Sequence, residues 1–207
     1  MALGMDIITI KNNLMNNFLN FSPKSAHSLL INIIDKHKLN IKIVKDRKTK
    51  LGDFRVSHFS HLITINQGLN PYAFLITLIH EIAHFICWNK YKNNILPHGK
   101  EWKREFTLLL IPFIGSNVFP NDIKSKLEIH LQNPKASSCN DFQLQKTLNK
   151  YNKNQKILLM DIPENTTFNY GTKKTFIKRK KLRKRILCCD LNSQKEYLFN
   201  PITEVTL

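Results

Sequence analysis

The spacing of apolar residues changes once in the first part of the chain, from the period of a helix to that of strands. Apolar residues recur three or four positions apart over 26–34, which predicts a helix that ends near His37. Three short apolar or alternating stretches follow at 41–44, 54–56 and 62–65, and these predict strands. One helix followed by three short strands predicts a small antiparallel sheet with helices packed on it.

Residues 72–91 are apolar on nearly every side of the predicted helix, which indicates a buried helix rather than an amphipathic one. A second helix is predicted from about Gly99 to Leu110, with a break at Pro112. Two shorter helices with polar faces are predicted over 122–131 and 141–151. The N-terminal part should therefore consist of several helices around one small sheet.

The pattern changes again after Lys156, where short β-type stretches are separated by turns. These stretches predict a small β-rich module held together by packing, since the four cysteines lack the paired spacing of a disulfide framework or a zinc ribbon. We therefore expect an α+β protein. Residues 1–152 should form a domain of helices packed on the small sheet, and residues 153–207 a small basic β-rich domain.

The predicted buried helix contains His80-Glu81-Ile82-Ala83-His84, which matches the pattern H-E-x-x-H. Positions four apart lie on the same face of a helix, so the imidazoles of His80 and His84 can bind one zinc ion. Glu81 lies beside them and can act as a general base toward the attacking water. Burying these polar groups among apolar side chains would cost several kcal/mol without a metal or a partner. The motif therefore predicts a zinc site.

Two imidazoles leave a catalytic zinc one protein ligand short of the usual three. His98 is the first candidate, because the face of the following helix that buries Trp102 would also direct His98 inward. Glu101 or Glu105 could supply a carboxylate from the same helix instead. Cys87 shares the face of the motif histidines but lies a turn too far along for comfortable tetrahedral closure.

The motif and its surroundings resemble an SprT-like domain, from the family that includes the Spartan-type proteases, which cleave proteins crosslinked to DNA. The resemblance extends over roughly residues 22–114 and implies a zincin-like metallopeptidase fold. It also implies one Zn²⁺ ion with His80, His84 and His98 as ligands and Glu81 as the catalytic residue. Many members carry a C-terminal zinc ribbon that this chain cannot build. The stretches that carry the resemblance are 51–55, 61–66, 70–75, 80–84 and 97–102.

The chain is strongly basic, with a formal net charge of +17. Nine of the thirteen residues over 173–185 are Lys or Arg, interleaved with apolar residues as in a β-hairpin with basic flanks. Such a surface predicts sequence-independent contacts with DNA phosphates, whereas a solvated charged face is the simpler alternative. The predicted nucleic-acid-binding residues are Lys178, Arg179, Lys180, Lys181, Arg183, Lys184 and Arg185.

Together these features predict a zinc-dependent metalloendopeptidase acting on protein or peptide substrates, with DNA-bound or DNA-crosslinked proteins implied by the resemblance. Two other classes stay open: a non-catalytic, basic nucleic-acid-binding protein with a structural zinc, and a zinc hydrolase with a non-protein substrate. The N-terminus lacks signal-peptide features, and no uncharged apolar run approaches the ~20 residues of a membrane helix. We therefore expect a cytoplasmic protein with no membrane partner.

Overall fold

A computed structural model of the protein describes residues 18–47, 49–57, 60–134, 141–171 and 174–207. The chain divides into two compact units, residues 1–136 and 137–207. This division lies before the last helix, whereas the sequence placed the boundary after it, at 152/153. Both helices and strands are present, so the fold class is α+β.

The described part of the first unit holds four α-helices and three strands, preceded by a short 3₁₀ turn over Lys24–Ala26. The first helix ends at His37, as the sequence predicted. In chain order the elements are α1 (His27–His37), β1 (Ile41–Val44), β2 (Gly52–Ser57), β3 (Ser60–Asn66), α2 (Pro71–Tyr91), α3 (Lys100–Gly115) and α4 (Asn121–Gln132).

The three strands form a mixed sheet in the order β1-β3-β2. β2 and β3 are an antiparallel hairpin, but β1 and β3 run parallel, so the expectation of a purely antiparallel sheet is wrong. The chain reverses twice, between β1 and β2 and again at the hairpin, and β3 therefore regains the direction of β1. Arg47 lies in the first reversal and donates to the side chains of Asn66 and Thr64 at 2.9 Å each. These bonds tie the connection to the end of the central strand.

Helix α2 is the core of this unit. The Asn70 side chain caps it by accepting from the amide of Ala73 at 3.0 Å, and Pro71 occupies its first turn. The helix contacts β2, β3 and α3, which accounts for its burial on several sides. By length and composition alone it is also long and apolar enough to cross a membrane, although it contains the charged residues Glu81 and Lys90. Most of its side chains are buried inside the unit, as in the core helix of a globular domain.

Helix α3 continues through Pro112, where the sequence predicted a break. Proline removes one amide donor, so only the carbonyl of Leu108 loses its helical partner. Leu108 lies on the exposed face of α3, where water can replace that partner. The extra turn buries Phe113 and Ile114, and this burial favours continuing the helix.

The described part of the second unit contains one helix and six strands, at the positions where the sequence predicted β-type stretches. A core of Leu159, Ile162, Phe168, Phe176 and Ile186, with Cys188 and Val205, fills it. A four-stranded antiparallel sheet has the order β5-β6-β7-β8, and β4 pairs with β9. The elements are α5 (Phe142–Asn149), β4 (Ile157–Leu158), β5 (Thr167–Tyr170), β6 (Lys174–Lys181), β7 (Ile186–Asp190), β8 (Glu196–Phe199) and β9 (Glu204–Val205).

Candidate metal centre and catalytic site

Three imidazoles converge where α2 faces the start of α3. His80 and His84 lie one turn apart on α2, and His98 lies two residues before α3 begins. The Nε2 atom of His84 is 3.1 Å from that of His80 and 3.0 Å from that of His98, and the third side of the triangle is 3.1 Å. The structure thus brings together the three residues that the sequence and the resemblance singled out.

The triangle of nitrogen atoms fits a metal ion. Ligand bonds of about 2.0–2.1 Å at tetrahedral angles place two nitrogens about 3.3 Å apart, close to the observed separations. Burial lowers the pKa of His80 to about 2 and that of His84 to about 4, and the neighbouring imidazoles add to both shifts. Burial also lowers the pKa of His98. All three rings are therefore neutral at pH 7, so each can offer a lone pair, and together they could hold a metal ion.

The backbone at His98 is held in an unusual conformation. Its φ angle is 59°, in the left-handed region that costs a non-glycine residue about 1–2 kcal/mol. The next residue, Gly99, donates its amide to the carbonyl of Leu96 at 2.9 Å, and an added Cβ would lie 2.9 Å from that same oxygen. The pair His98-Gly99 therefore forms a tight turn that aims the third imidazole at the other two.

Trp102 forms the floor under the three imidazoles. Its ring centroid lies 4.6, 5.4 and 4.7 Å from those of His80, His84 and His98. The indole is only 1% exposed and stacks on Phe106 with a centroid distance of 5.0 Å. As the sequence predicted, the face of α3 that buries Trp102 is the face toward which His98 points.

The three alternative candidates for the third metal ligand, Glu105, Glu101 and Cys87, do not join the cluster of imidazoles. Glu105 is buried, and its carboxylate accepts from the Lys90 ammonium at 2.7 Å. Glu101 lies 3.9 Å from the ammonium of Lys100. Burial raises the pKa of the Cys87 thiol to about 11, which keeps it neutral and a poor metal ligand. Within the described ranges, the potential ligand atoms that cluster belong to the three histidines alone.

Glu81 is 7% exposed and faces strand β2. Its carboxylate accepts from the backbone amide of Phe54, and an added Cβ at Gly52 would lie 2.7 Å from its Oε1 atom. Burial raises the pKa of Glu81 to about 8, the charge of Asp53 acts in the same direction, and Arg47 opposes it. A nearby divalent cation would also favour the ionised form. The site therefore holds a carboxyl group poised to exchange a proton near neutral pH.

Sequence reasoning missed the roles of Gly52 and Phe54. Both belong to a stretch that contributed to the resemblance, but nothing in their spacing related them to Glu81. The one available signal was a glycine at the start of a strand, which can mark a place where another group approaches closely.

The exposed edge of β2 runs beside this site. The carbonyl of Leu51 accepts from the amide of Asn66 on β3, so in this antiparallel pair the even-numbered residues direct their backbone groups away from β3. The amide of Phe54 follows this rule by donating to Glu81. The carbonyl of Phe54 and both backbone groups of Val56 therefore face the open edge of the sheet.

Residues 23–109 match the model of the SprT-like family. This match is consistent with an SprT-like domain in that part of the chain. The matched segment contains the three clustered histidines and Glu81, and the match suggests a domain of the metallopeptidase type. No curated protein and no solved structure gives a significant match to the chain.

The predicted DNA-contacting residues lie outside the segment that matches the SprT-like family, on β6 and the turn that follows it. Lys178 is 6% exposed, and its ammonium donates to the carbonyl of Ile162. It cannot contact phosphate from this position, because its side chain points into the second unit. Arg179 donates to the side chain of Asn165 and stays exposed. The remaining predicted residues, Lys180, Lys181, Arg183, Lys184 and Arg185, are also exposed.

Proposed function

We propose that this protein is a zinc-dependent metalloendopeptidase with a zincin-like SprT domain, in which His80, His84 and His98 hold one Zn²⁺ ion. The observation that carries the proposal is the convergence of three neutral imidazoles beside a buried carboxyl group. In the described part of the chain no fourth protein ligand joins them, which matches the ligand count of catalytic rather than structural zinc sites.

The chemistry follows from the surroundings of Glu81. A zinc ion bound by the three imidazoles would supply Lewis acidity toward the substrate carbonyl and the attacking water. Glu81 takes the proton from that water and returns it to the leaving amine. The Phe54 amide donates to the carboxylate, and a cation held by the imidazoles would lower the pKa of Glu81 below about 8, so that the carboxylate can accept a proton near neutral pH.

The open edge of β2 favours a peptide over a non-protein substrate. An extended peptide can pair with the free backbone groups of Phe54 and Val56, and this pairing would carry it past Glu81. Main-chain hydrogen bonds of this kind recognise any extended peptide. These hydrogen bonds support an endopeptidase, because a substrate without a peptide backbone could not form them.

The proposal is tested by assaying the zinc-loaded protein on a casein-type substrate, with an ester substrate in parallel. We expect peptide-bond cleavage that is lost on chelation and restored by stoichiometric zinc. Zinc binding without cleavage of either substrate would favour the structural-zinc alternative. Ester hydrolysis without proteolysis would favour the hydrolase with a non-protein substrate.

We further propose that the exposed basic residues of β6 and its following turn bind DNA, so that DNA-bound or DNA-crosslinked proteins become substrates. Five of these residues fall within 179–184, where only Leu182 interrupts them, and Arg185 follows directly. Exposed Lys and Arg side chains at this density would bind phosphates without reading the sequence. The overall charge of +17 supports the same partner.

Replacing Lys180 and Lys184 together by glutamine should weaken DNA binding about ten-fold near physiological salt. The plot of log K against log salt should also become shallower by about two, if each ammonium contacts one phosphate. Fluorescence anisotropy with labelled single- and double-stranded DNA measures both quantities.

The matched control replaces Lys153 and Lys195, which are exposed in the same unit but outside the basic hairpin. This pair removes the same charge and should change binding little. An equal loss of affinity in both double variants would show that net charge alone, rather than this surface, attracts DNA.

A further inference from the structure

A groove of about 900 Å³ lies between the β2–β3 hairpin and the C-terminal end of α2. Its walls include Phe54, Val56 and His61 from the hairpin, Trp88 from the helix, and Asn93 just beyond it. Phe54, Val56 and Trp88 supply its apolar part, and none of the lining residues carries a carboxylate; Ser57 and Ser60 also line it. The groove therefore combines an aromatic and aliphatic patch with neutral polar groups.

Phe54 connects the groove with the candidate catalytic site. The backbone amide of Phe54 donates to Glu81, while its side chain forms a wall of the groove. Along a strand, two residues span about 6.6 Å, so Val56 lies that distance further from Glu81 on the same side of the sheet. A chain crossing the catalytic site beside β2 would thus reach the groove within a few residues.

Two aromatic residues of the groove wall, Phe54 and His61, pack on the buried Phe85 behind it. The Phe54 ring lies 5.9 Å from Phe85, in an edge-to-face arrangement, and 6.4 Å from Trp88. His61 lies 4.5 Å from Phe85. The ammonium of Lys92 lies 4.1 Å from the centre of the Trp88 ring, which restricts that indole at the rim. Of these rings, Phe54 and Trp88 line the groove and can complement another aromatic ring.

We propose that this groove binds an aromatic side chain of the peptide substrate, within a few residues of the bond to be cleaved. The inference rests on the proposed endopeptidase function and adds a side-chain preference to it. A peptide paired with the open edge of β2 directs alternate side chains to the face that carries Phe54 and Val56. One such side chain enters the groove, and its aromatic ring is removed from water against Phe54 and Trp88.

The test uses internally quenched peptides of one length in which single positions near the cleaved bond carry Phe, Leu, Ala or Asp. At one position, kcat/KM should be at least about ten-fold higher for Phe than for Ala, with Asp the poorest. In parallel, anisotropy measures binding of the labelled Phe and Ala peptides to the Glu81→Gln protein. The Phe peptide should bind it at least about ten-fold more tightly.

Two variants connect the preference to the groove. Trp88→Ala removes part of the wall, and Val56→Lys places a charge at its mouth with little risk to folding, since Val56 is 40% exposed. With either variant, the ratio of kcat/KM for the Phe peptide to that for the Ala peptide should be close to one. Leu108→Ala, at an exposed apolar position on α3, is the control and should keep the wild-type ratio.

The outcomes separate this inference from the proposed function. Cleavage without a Phe preference, or with a preference that survives both groove variants, would overturn the groove assignment and leave the endopeptidase intact. Selective binding of the Phe peptide without cleavage by the zinc-loaded wild type would instead overturn the endopeptidase and support the groove. Neither cleavage nor selective binding would overturn both.

Discussion

Glu81→Gln should abolish peptide cleavage, with a loss in kcat of at least 10²–10⁴-fold, while the protein still folds and binds zinc. Glutamine keeps the shape of the side chain and can still accept from the Phe54 amide, but it cannot take a proton from water. The variant should also fold well, because burial raises the pKa of Glu81 to about 8 and so already disfavours its charge. An uncharged amide avoids that cost.

The measurement combines kcat on a quenched peptide with zinc content by elemental analysis. Glu128→Gln is the matched control, since it makes the same chemical change at an exposed position on α4 and should leave both quantities unchanged. A Glu81→Gln protein with full activity would remove Glu81 from the mechanism.

His98→Ala should lower the zinc affinity by at least about 100-fold and eliminate proteolysis. Removing groups that merely support a ligand already costs 10–100-fold in affinity, and His98 is proposed to be a ligand itself. Its nitrogen completes a triangle with sides of 3.0–3.1 Å, and the two histidines of α2 cannot replace it. Metal titration against a competing chelator measures the change, and His27→Ala, on α1, should retain the wild-type affinity.

His98→Gly separates metal loss from misfolding. Glycine adopts the left-handed conformation at φ 59° without steric cost, so the metal-free variant should be as stable as the metal-free wild type or about 1 kcal/mol more stable. It should nevertheless fail to bind zinc. Urea denaturation of the two chelated proteins compares their free energies of unfolding. Zinc affinity close to wild type in both His98 variants would exclude this residue from the metal site.

Much of the helical framework could be predicted because its signals are local. The apolar residues around 72–91 required a buried helix, and α2 spans Pro71–Tyr91. The helical period also fixes two features of the motif before any tertiary contact forms. His80 and His84 must share a face, and Glu81 must lie beside them.

Features that depend on long-range contacts were predicted less well. The direction of β1 depends on which edge of the sheet it joins, and alternation of residues carries no information about that choice. Lys178 lies in a basic run, but the register of β6 turns its side chain toward the carbonyl of Ile162. The continuation of α3 through Pro112 was decided by the burial of Phe113 beyond it.

The sequence by itself determined the buried helix and the two histidines one turn apart with their neighbouring carboxylate, because a helix places such residues by its own geometry. Tertiary structure decided which later side chain completes the metal centre. A left-handed turn at His98 and the position of Trp102 bring a third imidazole within about 3 Å of the others, while Lys90 engages Glu105. Tertiary structure also placed the edge of β2 against Glu81. These positions depend on how distant segments pack, and packing is a property of the folded chain rather than of any short stretch of residues.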